Sequence, residues 1–234
     1  MKKQVLFLFL LLSIAAFSQQ ITGNQLLEKA IHFHDPKGNW KTFNGELFVT
    51  MKTPDQIKRK SEIRINLPKE YFYIKSYKDA STEEYTVNKG ICSKVVGGNK
   101  NPSNDPKKTC KRANLYKDYY TFLYGLPMKL KDPGTLINPK VEKRSFKGKE
   151  YWVAQVKYEK EVGKDTWYFY FDPSTFALEV YQFYHDESKN DGEYILLTEE
   201  SEVNGIKMPK NRAWFYNKDD AYLGTDFLYK NKTK

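Results

Sequence analysis

From Trp40 onward, apolar residues recur largely at alternate positions, and turn-forming pairs break the chain about every ten residues. Such a period of two belongs to strands with one buried face. Phe43, Leu47, Val49 and Met51 open the series, and Ile63 and Ile65 continue it before Pro68. The run Tyr71-Phe72-Tyr73-Ile74 follows, then Tyr85 and Val87, which makes four or five consecutive strands. Segments 141–146, 151–158, 166–171, 176–185, 194–203, 206–216 and 222–229 continue the pattern. Gly148-Lys149, Asp172-Pro173-Ser174, Asn190-Asp191-Gly192 and Asn204-Gly205 punctuate them. Asn204-Gly205 is the strongest hairpin signal, because both residues tolerate the positive φ of a type I′ turn. The total is about eleven or twelve strands.

Two stretches keep a helical period instead. Thr22 or Asn24 can cap a first helix carrying Leu26, Leu27, Ala30 and Ile31, which Asp35-Pro36 ends. A second places Leu115, Tyr119, Phe122 and Leu126 on one face and Tyr116, Tyr120 and Leu123 beside it, with Gly125 and Pro127 at its end. An antiparallel sheet of this size must curl or split. Two apolar helices then belong on its concave side. The expected fold is mainly β (α+β), an antiparallel half-open barrel with an N-terminal helix and an inserted helix on that side.

Aromatic residues, 18 Tyr, 15 Phe and 4 Trp, are too abundant for a disordered chain. Trp40, Phe43, Tyr71, Tyr73, Trp152, Trp167, Phe183 and Trp214 sit on alternating strands. As a set they exceed what dry packing of such a sheet requires, and they are the candidate lining of a ligand cavity.

Residues 1–18 read as a signal peptide. Met1-Lys2-Lys3 is cationic, 5–17 is apolar, and Ala16 and Ser18 have the small-residue spacing of a cleavage site. The apolar run is shorter than the ~20 residues of a spanning helix. No cysteine follows to accept a lipid anchor. Residues 19–234 are thus expected as one exported, periplasmic domain without a transmembrane helix, and as a monomer. The formal charge is +10, or +8 once Lys2 and Lys3 are removed. In that compartment an anionic membrane surface, its lipid head groups, or acidic glycans are fitter partners than nucleic acid. The spread of the lysines favours a plainer role, keeping exposed strand faces and edges soluble. Cys92 and Cys110, an even pair in an oxidising compartment, are expected to form a disulfide across a flexible loop.

The segment Trp167 to Thr175, with Asp172-Pro173-Ser174 at its turn and Leu178-Glu179-Val180 after it, resembles the LolA-like superfamily of periplasmic lipoprotein carriers. So does the order of helix, strands, helix-bearing insert and long meander across nearly the whole exported chain. Tyr124-Gly125-Leu126-Pro127-Met128-Lys129, Gly192-Glu193-Tyr194-Ile195, Gly205-Ile206-Lys207-Met208-Pro209 and Leu223-Gly224-Thr225-Asp226 are similar to an uncharacterised family of exported bacterial proteins. The superfamily resemblance implies a half-barrel that holds lipid or an acylated chain. The cysteine loop and the density of tyrosine depart from the true carriers, and buried tyrosine hydroxyls need partners.

Catalytic signatures are missing: no Gly-x-Ser-x-Gly, Ser-x-x-Lys, His-Glu-x-x-His, phosphate-binding glycine loop or Cys-x-x-Cys occurs. His32 and His34 point to different sides of a helix and read as surface or helix-end residues. Asp186, Glu187, Asp191 and Glu193 fail the calcium-loop pattern and read as a solvated hairpin tip. The function expected is a binding or carrier protein for a lipid, acylated or other amphiphilic ligand, with basic rim residues on its head group. It has no cofactor, no metal and no catalytic residue. An envelope protein-interaction module is the alternative. A glycan or lipid hydrolase built on Asp165, Glu179 and Asp226 comes third, since nothing in their spacing selects them.

Overall fold

Alternation takes effect as one continuous antiparallel sheet in the computed structural model, which describes residues 20–55, 57–78, 81–100 and 105–229. The first meander is β1 (Asn44–Lys52), β2 (Ile57–Asn66), β3 (Tyr71–Lys78), β4 (Ser81–Asn88), β5 (Ile91–Val96) and the two-residue β6 (Asn99–Lys100). The second is β7 (Thr135–Phe146), β8 (Lys149–Tyr158), β9 (Thr166–Phe171), β10 (Leu178–Tyr184), β11 (Glu193–Val203), β12 (Ile206–Tyr216) and β13 (Tyr222–Tyr229). Pairing of β1 with β13 joins the two, giving the order 6-5-4-3-2-1-13-12-11-10-9-8-7. Among the described residues the two edges do not pair, so the curled sheet is a half-barrel rather than a closed one. The expected signal peptide, 1–18, lies outside the described residues. No helix among them is long and apolar enough to cross a membrane.

Both helices lie against the concave face. Helix α1 (Gly23–His34) starts at a complete capping box, in which Thr22 and Gln25 each bond the other's backbone N–H. It buries Leu26, Leu27 and Ala30 against β7, β8 and β12. Helix α2 (Pro106–Gly125) is twenty residues long and packs on β3, β4 and β5. It begins well before its apolar stripe, because Asp105 caps it and Pro106 suits the first turn.

That early start corrects the flexible loop expected between the cysteines. Strand β5, the Gly97-Gly98 turn and the first turn of α2 occupy the segment, and the Cys92–Cys110 disulfide staples β5 to α2. Closing a loop of this size stabilises the fold by roughly 3 kcal/mol in the chain-entropy model. The Asn204-Gly205 turn takes positive φ at both residues, 51° and 76°, as a type I′ hairpin demands.

One core fills the concave side, running from Leu26 and Phe43 through Ile63, Phe72 and Tyr120 to Phe169 and Met208. A smaller cluster of Tyr151, Val153, Tyr168, Tyr170 and Val180 forms on the convex face, where Phe146 reaches Tyr170 and Tyr194.

Candidate functional site

The centre of the half-barrel is occupied by α2, so open space is left on the two flanks of that helix. On one flank lies a cleft of about 570 Å³ whose floor is Trp40, Ile65, Leu67, Phe72 and Val87. On the other lies a cleft of about 480 Å³, walled by Phe122, Tyr158 and Trp167. They adjoin, since Asp118, Thr121, Lys129 and Asp132 line both.

Local chemistry places the first wall. Both carboxylate oxygens of the buried Asp35 accept backbone N–H bonds, from Asn39 at 2.7 Å and Trp40 at 2.8 Å, fixing the short turn that carries the indole. Trp40 then lies against Gly125, where an added Cβ would fall 2.3 Å from Cζ2 of the ring. Only glycine fits there. On the opposite wall, Trp167 meets Phe122 edge-on with centroids 5.5 Å apart, and Phe183 at 4.8 Å.

Charge around the clefts is mixed. Lys129 pairs with Asp132, Lys117 with Asp118 at 3.5 Å, and Asp165 with His185 at 2.7 Å. Lys41 and Glu70 complete the first rim. A basic collar, the arrangement expected from the net charge, is not what these residues form.

Between the clefts, beneath α2, lies a buried ionic cluster. Register alone assembles it: Arg59 on β2 is opposite Met51 on β1, Met51 opposite Asp226 on β13, and Asp226 opposite Arg212 on β12. Arg59 Nη2 donates to the Tyr120 hydroxyl at 3.0 Å, and Arg212 donates to the carbonyls of Pro209 at 2.9 Å and Leu123 at 3.2 Å. The Arg212 guanidinium also lies 3.9 Å from the centre of the Tyr124 ring. Both Asp226 oxygens, the Tyr124 hydroxyl and the Nε atoms of Arg59 and Arg212 are buried without a hydrogen-bond partner among the described residues. Burial raises the Asp226 carboxyl above its ordinary value, although both arginines pull it down. Burial likewise pushes Tyr120 up to about 12.

Of the eight aromatics expected to line a cavity, Trp40, Tyr71 and Trp167 line the clefts. Phe43 is enclosed in the core. Trp152, Phe183 and Trp214 pack against that core from the concave side, Trp214 stacking on Tyr119. Tyr73 stands on the convex face, donating to Glu84 at 3.0 Å with Arg64 over its ring. Its neighbour Phe72 takes the inward place, because β3 presents Phe72 and Ile74 beside Ile65 and Ile63.

The three carboxylates weighed for a hydrolase have separate surroundings. Asp165 is bonded to His185, Glu179 to Lys149, and Asp226 lies beneath α2. His34 is not a surface residue. It is 2% exposed at the end of α1, donating from Nδ1 to the Lys207 carbonyl at 2.7 Å and accepting the Leu178 N–H at Nε2 at 2.9 Å. That pairing requires a neutral ring, and burial lowers its pKa to about 4.

A model of the DUF6503 family, described as a family of unknown function, matches residues 2–231. The chain belongs to that family. No curated protein matches it. Among solved structures it is similar to a LolA superfamily protein from Nitrosomonas europaea, at 10% identity and TM-score 0.49, over 90% of this chain and 92% of the other. It is also similar to a candidate outer membrane lipoprotein-sorting protein domain from Vibrio parahaemolyticus, at 8% identity and TM-score 0.48, over 89% and 95%. A DUF1329 family protein from Desulfovibrio piger gives 7% identity and TM-score 0.44, over 92% and 96%.

Proposed function

We propose that this family member is a periplasmic binding or carrier protein for an amphiphilic ligand, a lipid or an acylated chain, and that it performs no covalent chemistry. The observation that carries the reading is the pair of adjoining clefts flanking α2, each with an aromatic or aliphatic floor and a charged rim. Volumes of about 570 and 480 Å³ lie within the range of small-molecule sites, whose usual build is an apolar lining with a few polar groups. Trp40, Phe72, Phe122 and Trp167 hold the apolar part of the guest. Lys41, Lys117 and Asp118 meet its head group at the rim.

Thr121 faces both clefts, so a large side chain there should block both. The wild-type protein should take up a fluorescent fatty acid and, purified from its own periplasm, carry lipid detectable by native mass spectrometry. Thr121→Trp should abolish uptake at unchanged thermal stability. A ligand-free wild type that refuses the probe sinks the reading.

A further inference from the structure

Buried polar groups are nearly always paired within a fold, so a buried set that is not paired calls for a reason. The cluster beneath α2 is such a set. Asp226 is 1% exposed and accepts from neither arginine, although both arginines act on it electrostatically. Nε of Arg59, Nε of Arg212 and the Tyr124 hydroxyl are buried and donate to nothing among the described residues. The groups also converge. Stacked Tyr120 and Tyr124, their centroids 6.2 Å apart, receive one arginine each. Arg59 bonds the Tyr120 hydroxyl at 3.0 Å, and Arg212 lies 3.9 Å from the Tyr124 ring centre.

Their chemistry selects one kind of occupant. Guanidinium groups carry N–H donors and no acceptor, so donors outnumber acceptors here. Two guanidiniums against one carboxylate also leave the cluster positive. That excess grows whenever the Asp226 carboxyl, raised by burial, takes up a proton. A cation would be repelled, and a hydrocarbon chain would satisfy none of the donors. An oxyanion supplies negative charge and several acceptor oxygens together, and phosphate oxygens suit the arginine fork. A protonated Asp226 adds one more donor to it. Arg212 is 1% exposed, whereas Arg59 and Met51 are only half-buried, so the row is closed at one end and approachable at the other.

We propose that the cluster beneath α2 binds a phosphate group, free or borne on a lipid, between Arg59 and Arg212 with the Tyr124 hydroxyl donating to it. The site stands on these buried groups alone and can fail or hold independently of the amphiphile reading. The atoms that weaken the seat of α2 in the ligand-free protein are the ones a phosphate satisfies. Binding should therefore stabilise the fold by mass action.

The test is calorimetric titration of the exported protein, dialysed free of phosphate and sulfate. The probes are inorganic phosphate, a short-chain lysophosphatidic acid below its micelle concentration, and a monoacylglycerol of the same chain length. At least one phosphate-bearing probe should bind and raise the melting temperature, and the monoacylglycerol should not displace it. Arg59→Gln should weaken that binding roughly tenfold, the worth of one hydrogen bond to a charged group. Tyr124→Phe should weaken it about fivefold while its melting temperature without phosphate stays level or rises. Competition between the two phosphates supports a site open to both sources; binding of one alone assigns the site to that source. No binding of either by the wild type, or undiminished binding by both variants, overturns the site. Phosphate binding by a protein that refuses a fluorescent fatty acid supports this site and defeats the amphiphile reading alone.

Discussion

Helices α1 and α2 cover the same concave wall and are held there by opposite means. Helix α1 offers Leu26, Leu27 and Ala30 to the sheet, and its polar groups are satisfied at both ends, by the capping box and by the two hydrogen bonds of His34. Helix α2 lays Tyr120 and Tyr124 over Arg59, Arg212 and Asp226, with several polar atoms unpaired, and the disulfide fastens its N-terminal half. Unpaired buried polar atoms each cost about 1–3 kcal/mol, so the contact beneath α2 is much weaker than its burial suggests. Open clefts flank the weakly seated helix, while dense packing surrounds the firmly seated one. The molecule concentrates stability at α1 and leaves its open clefts beside α2.

The largest effect expected from this contrast is on the apolar side. Leu26→Ala removes a fully buried side chain and should cost about 3–4 kcal/mol in urea unfolding. Leu115→Ala, on the exposed side of α2, should change stability by less than about 0.5 kcal/mol. Comparable losses at the two positions would erase the distinction.

Next in size is the response to acid. The folded-state pKa of His34 is about 4, below the ordinary 6.5, so the neutral ring's contribution is fully present above pH 6.5. It is lost progressively as the pH falls from 6.5 to 4, and the shift corresponds to about 3 kcal/mol. Asp226 works the other way. Its folded pKa is raised, so its ionised form costs the fold stability above the carboxylate range, and protonation on acidification restores it. Stability of the wild type between pH 6.5 and 4 should therefore fall by about 3 kcal/mol more than that of His34→Gln. Parallel curves for the two proteins would show that His34 is not the latch.

How far the sequence reaches follows the same division. Helix α1 was legible, its cap narrowed to Thr22 or Asn24 and found at Thr22, because Leu26, Leu27 and Ala30 are a local pattern with a local cause. The meander was legible too, its turns marked by Asn204-Gly205 and Asp172-Pro173. Strand β5 and the first turns of α2 were not, since Lys107, Lys108, Lys111 and Arg112 face solvent and carry no apolar period. Eleven or twelve strands were expected where thirteen form among the described residues, and the short β6 has too few residues to show alternation. At the site, parity decides what composition cannot. Phe72 and Tyr73 are equally aromatic, and only the pairing of β3 with β2 sends one inward and the other outward. The ionic cluster left one trace: Arg212 and Asp226 share the inward parity of Trp214 and Leu228, a charged residue in an apolar period. That they are neighbours is a matter of register between distant strands, which no local signal carries.

The smallest effect is the most pointed. Tyr124 is wholly buried on α2, and its hydroxyl has no partner among the described residues. A hydroxyl that gains nothing in the fold and gives up its water on burial is a net cost. Tyr124→Phe keeps the ring beneath Arg212 and deletes only that oxygen, so stability should stay level or rise by up to about 1 kcal/mol. Thr22→Ala, which removes a satisfied hydroxyl from the cap of α1, should cost about 1 kcal/mol instead. Two hydroxyl deletions of opposite sign, read by the same denaturant curve, would separate a helix seated on paired groups from one seated on unpaired ones. A loss of more than about 1 kcal/mol in Tyr124→Phe would mean that its oxygen does have a partner, and the contact beneath α2 would then have to be counted as strong.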